Sequence, residues 1–282
     1  MIRFADWSML RDLIFLWQVA FQEEKRAARF YFTNFFHPEE CLVVVEEGKP
    51  VSMLQMLPGK ISLRNNQKVP AQYVFACATL PEYRGQGLMK QLLSKAEQVG
   101  FERGDWYSII LPASEGLYHF YELSGYSTCL KVGRADFSYE ELKKISDGFL
   151  AQNNLPDIPR LNQVRNRILK EVPGSMLWNQ QGFWRAIRFG AVYGSHLIAQ
   201  KNAYALAYME NADCQIPELM SSESDFPQLM ASVLAKMPAK IYHLRMPIGP
   251  FSQFEISFGM GKALREKKLS EVEGGYLGLA MD

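Results

Sequence analysis

The feature that most constrains this chain is a change of hydrophobic period across one short break. From Val69 to Leu80 the sequence is a long run of strand character, VPAQYVFACATL. From Leu88 onward, Leu88, Met89, Leu92, Leu93, Ala96 and Val99 recur at helical spacing, and Lys90, Gln91, Ser94, Lys95 and Glu97 take the other face. Between them lies Pro81-Glu82-Tyr83-Arg84-Gly85-Gln86-Gly87. A helix that begins at such a break has first-turn N–H groups without partners, and its dipole adds roughly half a positive charge. The glycines let a ligand come close to the backbone. Arg84 adds a permanent charge and a fork of donors. The stretch reads as an anion site suited to a diphosphate; a tight turn with no ligand is the plainer alternative. It lacks the Gly-Lys-Ser/Thr of a triphosphate loop. It also follows a meander, whereas a dinucleotide fingerprint follows an opening parallel strand.

The surrounding pattern gives the architecture. Residues 7–36 read as helix in two pieces around Gln22-Glu23-Glu24, ended by Pro38. Cys41–Val45 and Val51–Leu57 read as strands across a turn at Glu46–Lys49. Ile61–Arg64 and Val69–Leu80 flank another turn at Asn65-Asn66. After the helix from Leu88, with Gly100 and Gly104 bracketing its end, come a strand at Trp106–Leu111 and a short helix over 114–123. Gly125 closes that helix as a left-handed cap, and one or two strands follow from Tyr126 to Phe137. The expected class is α/β in the α+β sense: a mixed, mostly antiparallel sheet flanked by helices. The polar stretch Gln152–Pro156 suggests a boundary. Beyond it, a helix at Leu161–Lys170, strands at His196–Ala199, Ala203–Met209 and Cys214–Met220, a helix at Asp225–Leu234 and a strand at Lys240–Met246 repeat the order of the first half.

Bulk properties narrow the function. A chain of 282 residues is long for a single core, so two domains are expected. With 31 basic against 30 acidic side chains the net charge is +1, so no global field draws it to nucleic acid or to an anionic membrane. Cys41, Cys77, Cys129 and Cys214 are far apart and lack the spacing of a zinc site. They read as reduced core thiols of a cytoplasmic protein. The first residues do not read as a secretory signal, and the apolar run Leu13–Trp17 is too short to cross a bilayer. His37, His119, His196 and His243 show no ligand spacing.

The segment from Val74 to Leu93, VFACATLPEYRGQGLMKQLL, resembles the signature of the GNAT (GCN5-related N-acetyltransferase) family. In that family Arg/Gln-x-x-Gly-x-Gly/Ala cradles the pyrophosphate of acetyl-CoA. Here the pattern runs Arg84, Gly87, Met89, with Met in place of the usual last Gly or Ala. Phe120-Tyr121-Glu122-Leu123-Ser124-Gly125-Tyr126 resembles a second family feature downstream. The resemblance covers roughly residues 1–140, and the bulky N-terminal helices resemble the tandem Eis-type branch without its sterol-carrier-like domain. It implies a GNAT domain over 1–140, a connecting helix and linker over 141–158, and a degenerate GNAT-like domain over 159–282 without a phosphate loop.

It also implies roles. Arg84, Gly85, Gln86, Gly87, Leu88 and Met89 would hold the acetyl-CoA phosphates. Backbone groups near Ala78 and Thr79 would pair with the pantetheine arm, and Ser114 would bond that arm or cap its helix. Tyr121 would be the general acid, or an amphipathic core tyrosine, with Tyr118 as a neighbour on the same face. No acid lies between Gln72 and Thr79, so the general base is open among Glu23, Glu24, Asp282 and a water chain. Trp17, Phe21, Phe32, Phe35 and Phe36 line an acceptor pocket or, more simply, fill the core. The expected activity is N-acetyl transfer to a primary amine of a small molecule or peptide. The alternative is a non-catalytic CoA-sensing or protein-interaction module. No nucleic-acid or membrane partner is expected, and a homo-oligomer is compatible with the sequence.

Overall fold

The computed structural model describes every residue except Asn153, Lys267 and Asp282. The chain packs into two units. One comprises Met1–Lys60, Val69–Thr128 and Met260–Leu269; the other comprises Ile61–Lys68, Cys129–Gly259 and Ser270–Asp282.

The first unit opens with β1 (Ile2–Phe4), α1 (Leu10–Phe21) and α2 (Lys25–Asn34). The helices part where Gln22 turns left-handed at φ 55°. Next come β2 (Cys41–Glu46) and β3 (Lys49–Ser62). Glu47 and Gly48 both have positive φ in the turn between them, the geometry that matches a twisted hairpin. β3 runs through Pro58-Gly59 and takes in Ile61-Ser62, which the sequence pattern assigned to a separate strand. Pro58 is exposed, where a missing N–H costs a strand little. β4 (Lys68–Thr79), α3 (Leu88–Arg103), β5 (Tyr107–Ile110) and α4 (Glu115–Glu122) complete the run. Gly104, at φ 93°, caps α3. Gly100 lies inside the helix, where a Cβ would come 2.8 Å from Gln72 Oε1 on β4.

The strand order in this unit is β1-β2-β3-β4-β5. β1–β2 and β2–β3 are antiparallel, and β4–β5 is parallel. Residues Met260–Ala263 pair antiparallel with the other edge of β5. The two faces of β4 see different helices. Gln72 donates to the Ala96 carbonyl of α3. Phe75 packs against Trp17 of α1 and Tyr31 of α2 on the opposite face.

The second unit holds β6 (Ser127–Ser138), α5 (Tyr139–Ile145), α6 (Ile158–Lys170), β7 (Met176–Leu177) and α7 (Gln180–Val192). There follow β8 (His196–Ala199), β9 (Tyr204–Glu210), β10 (Asp213–Met220), α8 (Phe226–Lys236) and β11 (Ile241–Met246). β12 (Phe254–Ala263), whose last residues belong to the first unit, and β13 (Gly275–Tyr276) close the chain's order. β8–β9 and β9–β10 are antiparallel, β10–β11 parallel, β11–β6 antiparallel and β6–β13 parallel. Meander, helix and parallel strand thus recur in both units. α7 had no sequence assignment. Its start is fixed by Asn179, whose side chain accepts from the Gly182 N–H at 2.7 Å, and it buries Phe183, Ala186, Ile187 and Phe189.

A buried polar cluster anchors the second unit. Arg165 and Glu218, both with 0% side-chain exposure, pair at 2.8 Å. Tyr204 and Tyr276 each donate to the same carboxylate, at 3.0 and 2.7 Å. Arg245 donates to the Pro217 and Gly278 carbonyls.

Candidate functional site

The site builds up from the end of β4. The Leu80 N–H donates to the Val51 carbonyl at 3.0 Å, which ties the strand end to β3. A 3-10 turn over Pro81–Tyr83 then reverses the chain. Arg84 is extended, and its Nε donates to the Thr79 carbonyl at 3.1 Å. Gly85 and Gly87 are left-handed, at φ 76° and 74°, a conformation that costs an L side chain about 1–2 kcal/mol. A Cβ on either would meet nothing within 4 Å, so backbone conformation and not crowding calls for glycine, and the space over the loop is open.

Gly87 is the N-cap of α3 and offers no side-chain cap. The first backbone bond of the helix is Gln91 N–H to Gly87 O at 3.1 Å. Among the described residues no hydrogen-bond partner occurs for the backbone amides of Gly85 to Lys90. Leu88 and Met89 are half-buried, so Met89 occupies the family's small position without closing the loop. A surface groove of about 660 Å³ leads from Gly87 along Lys90, Ser94, Lys95 and Gln98; it carries two ammonium groups and no acid. This combination of free amides, two left-handed glycines and nearby cations fits a diphosphate ester.

β4 itself changes character beside the loop. Ala76 sits at φ 51°, an irregularity inside a strand. The pairing of β4 with β5 ends at Val74↔Ile110, two residues before it, although β4 continues to Thr79. Past Ala76 the edge of β4 that faced β5 is therefore unpaired among the described residues. Of the two residues expected to meet a pantetheine arm, Ala78 has its carbonyl bonded by Ser52 Oγ at 3.0 Å. Thr79 shares its hydroxyl with Ser52 at 2.8 Å and its carbonyl with Arg84.

Tyr121 is 5% exposed on α4, its ring 6.1 Å from that of Tyr126. Gly125, at φ 84°, lets the chain turn so that the Tyr126 N–H returns to the Tyr121 carbonyl at 3.1 Å. Tyr126 then shares its hydroxyl with Ser108 of β5 at 2.7 Å. Burial, then Cys77, pushes the Tyr121 phenol well above the ordinary tyrosine range. Burial also pushes the Cys77 thiol up to about 12. Both groups are therefore neutral near pH 7.

The remaining expected residues fall into place around this centre. Ser114 is the N-cap of α4 but makes no side-chain capping bond. Tyr118 is half-buried, with burial raising its phenol. His119 is exposed, its Nδ1 3.7 Å from Glu122. Trp17, Phe32, Phe35 and Phe36 are core, whereas Phe21 is 37% exposed. Glu23 accepts from Trp17 Nε1 at 2.8 Å, and Glu24 is the N-cap of α2. Asp282 lies outside the described residues. The sequence reading passed over Cys77 as a core thiol. Its influence on Tyr121 arises from the packing of the fold, which no local pattern reports.

The described residues contain no cluster of metal-binding side chains and no helix long and apolar enough to cross a membrane. A family model described as an acetyltransferase (GNAT) domain matches residues 1–129. No curated protein shows significant similarity to the chain. Among solved structures, the fold is similar to a GCN5-related N-acetyltransferase from Kribbella flavida. The TM-score is 0.71 at 15% identity, over 94% of this chain and 72% of that one. It is similar to Eis1 from Mycobacterium abscessus, with TM-score 0.67 and 11% identity over 94% and 74%. It is also similar to a tandem GNAT protein of the clavulanic acid biosynthesis pathway, with TM-score 0.52 and 12% identity over 95% and 100%.

Proposed function

We propose that the chain, whose residues 1–129 match an acetyltransferase (GNAT) domain model, transfers an acetyl group from acetyl-CoA to a primary amine of a small molecule or peptide by direct attack. The observation that carries this reading is the junction of two features: unpartnered amides from Gly85 to Lys90, and a β4 edge released from β5 at Ala76. The first suits the diphosphate, with Arg84, Lys90 and Lys95 supplying positive charge. The second suits a thioester arm laid alongside Cys77–Thr79 as an added strand. Bound acetyl-CoA supplies the activated acyl group; the protein supplies position, donors and one proton.

Tyr121 is the proton source in this account. A phenol raised by burial is a weak acid in water, but the departing thiolate forms beside it in the same setting. Cys77 reports how that setting treats a thiol, raising it from 9.0 to about 12. A thiolate released there is more basic than in water, and in this account it takes the Tyr121 proton. The general base stays unassigned.

In the tandem arrangement we propose, 1–140 is the catalytic domain, 141–158 the connection and 159–282 a degenerate copy. The second unit repeats the parallel pair β10–β11. Its turn into α8, Ser221-Ser222-Glu223-Ser224-Asp225, has two acids and no glycine, which repels a diphosphate. One cofactor per chain follows.

The test is thiol release from acetyl-CoA across a panel of primary amines, beside a thermal-shift titration with coenzyme A. Both thiol release and a rise in melting temperature are expected. A rise without release for any amine favours a CoA-sensing module, and no rise at all removes the site.

A further inference from the structure

We propose that the groove between the free edge of β1 and the outer face of α3 docks an acidic peptide segment of a partner protein, taken up as one more strand of the sheet. β1 is the edge strand, with β2 as its neighbour. Its bonds to β2 fall at alternate residues: the Val45 N–H donates to the Met1 carbonyl, and the Ala5 N–H donates to the Cys41 carbonyl. Alternation then points the N–H and C=O groups of Ile2 and Phe4 away from β2. Among the described residues no strand meets that side. The same alternation puts the Ile2 and Phe4 side chains on one face of the sheet. Ile2 lines the groove, so that face is the α3 side, and Phe4, 40% exposed, extends the apolar wall. A bare edge beside an exposed ring is a template for strand pairing.

The opposite wall is α3, which contributes Lys90, Ser94, Lys95 and Gln98 to the 660 Å³ groove. Lys95 donates to Gln98 Oε1 at 3.0 Å, and neither ammonium group has a carboxylate partner among the described residues. Glu97 lies outside the groove, paired with Lys262 at 2.6 Å. The groove is therefore positive without compensation, which favours an anionic occupant. The backbone edge favours an extended peptide, because a strand laid there exchanges hydrogen bonds with Ile2 and Phe4. The spacings match: Lys90 and Lys95 stand about 7.5 Å apart along the helix axis, and alternate residues of a strand about 6.8 Å apart. Acidic side chains at positions i and i+2 thus reach both ammonium groups, while the lysine stems and Ile2 cover the chain between them. The thioester arm of the proposed cofactor follows the β5 side of β4, and β1 and β5 stand at opposite ends of this unit's strand order. Docking therefore does not rest on the transfer reading. Lys90 alone is shared with the phosphate loop.

The probe is an end-blocked peptide of alternating glutamate and valine, titrated with the full chain by fluorescence polarisation beside its lysine–valine counterpart. The acidic peptide is expected to bind at least about tenfold more tightly than the basic one. At saturation, amide hydrogen exchange at Ile2 and Phe4 should slow at least about tenfold, as it does when an edge becomes paired. Gln98→Glu sets an acid into the groove, and Phe4→Pro deletes one outward N–H while leaving the bonds to β2; each should weaken the peptide about tenfold. Saturating coenzyme A should weaken it only about threefold, through Lys90. Equal binding of the two peptides overturns charge selection, and no binding overturns the site. Binding without slowed exchange at Ile2 and Phe4, or with full affinity in Phe4→Pro, overturns strand addition. Complete displacement by coenzyme A gives the groove to the cofactor's nucleotide end and overturns the proposal, while leaving the transfer reading in place. Where a variant fails to fold, judged by its melting temperature, the exchange measurement on the parent chain decides.

Discussion

In the proposed reaction two side chains divide the work. Arg84 faces solvent at the mouth of the loop, with only its Nε committed to the Thr79 carbonyl. Its guanidinium has donors left for a phosphate, so Arg84→Ala should weaken coenzyme A binding about tenfold by isothermal titration, the scale of one charge-assisted contact. An unchanged dissociation constant would detach Arg84 from the phosphates. Tyr121 is buried and is proposed to act only as the proton donor, so Tyr121→Phe should lower kcat about 100-fold and leave coenzyme A affinity within about twofold. The Cys77 thiol, held near 12 by burial, should also resist alkylation. At pH 8 its thiolate fraction is several hundredfold below that of an ordinary thiol, so iodoacetamide labelling of Cys77 should be at least about 100-fold slower than for a free cysteine. Rapid labelling at that position, read by peptide mass spectrometry, would show the thiol to be solvated.

At the scale of elements, the turn from β4 into α3 is the part most exposed to substitution. Gly87→Val places a β-branched residue at φ 74° and should cost stability as well as binding, whereas Gly87→Asn, which tolerates the left-handed region, should retain most of the fold. Equal melting temperatures for the two variants would contradict the loop geometry. This turn was legible in the sequence because everything that makes it is local: a strand run, two glycines and a helical period from Leu88. The same is true of the break at Gln22, the cap at Gly125 and the meander. The irregularity at Ala76 was not legible, since alanine carries no preference for positive φ; the surrounding sheet imposes it. The helix over Gln180–Val192 carries Gly182 and Gly190, which weaken its local helical signal. Gly182 is required there because a Cβ would come 2.8 Å from the Trp178 ring. Met260–Ala263, the antiparallel partner of β5, comes from about 150 residues further along the chain, and a partner so distant leaves no mark in a local window.

For the whole molecule, stability and cofactor binding give separate handles. Each unit has buried groups whose charge state matters. Glu218 takes bonds from Arg165, Tyr204 and Tyr276, so Glu218→Leu strands a buried guanidinium and should cost about 3–5 kcal/mol in chemical denaturation. A loss under about 1 kcal/mol would mean that water reaches Arg165. Cys41, Cys77 and Cys214 are each raised by burial from 9.0 to about 12. Between those values the unfolded chain releases thiol protons that the native chain keeps. Their contribution is fully present below pH 9 and is lost as pH rises toward 12, by up to about 1.4 kcal/mol per pH unit for each thiol. The most direct test of the central claim is calorimetric titration of the intact chain with coenzyme A. The account predicts one site per chain, an affinity that falls with added salt, and loss of that site in Gly87→Val combined with Arg84→Ala. Two equivalent sites, or one site indifferent to both substitutions, would contradict it.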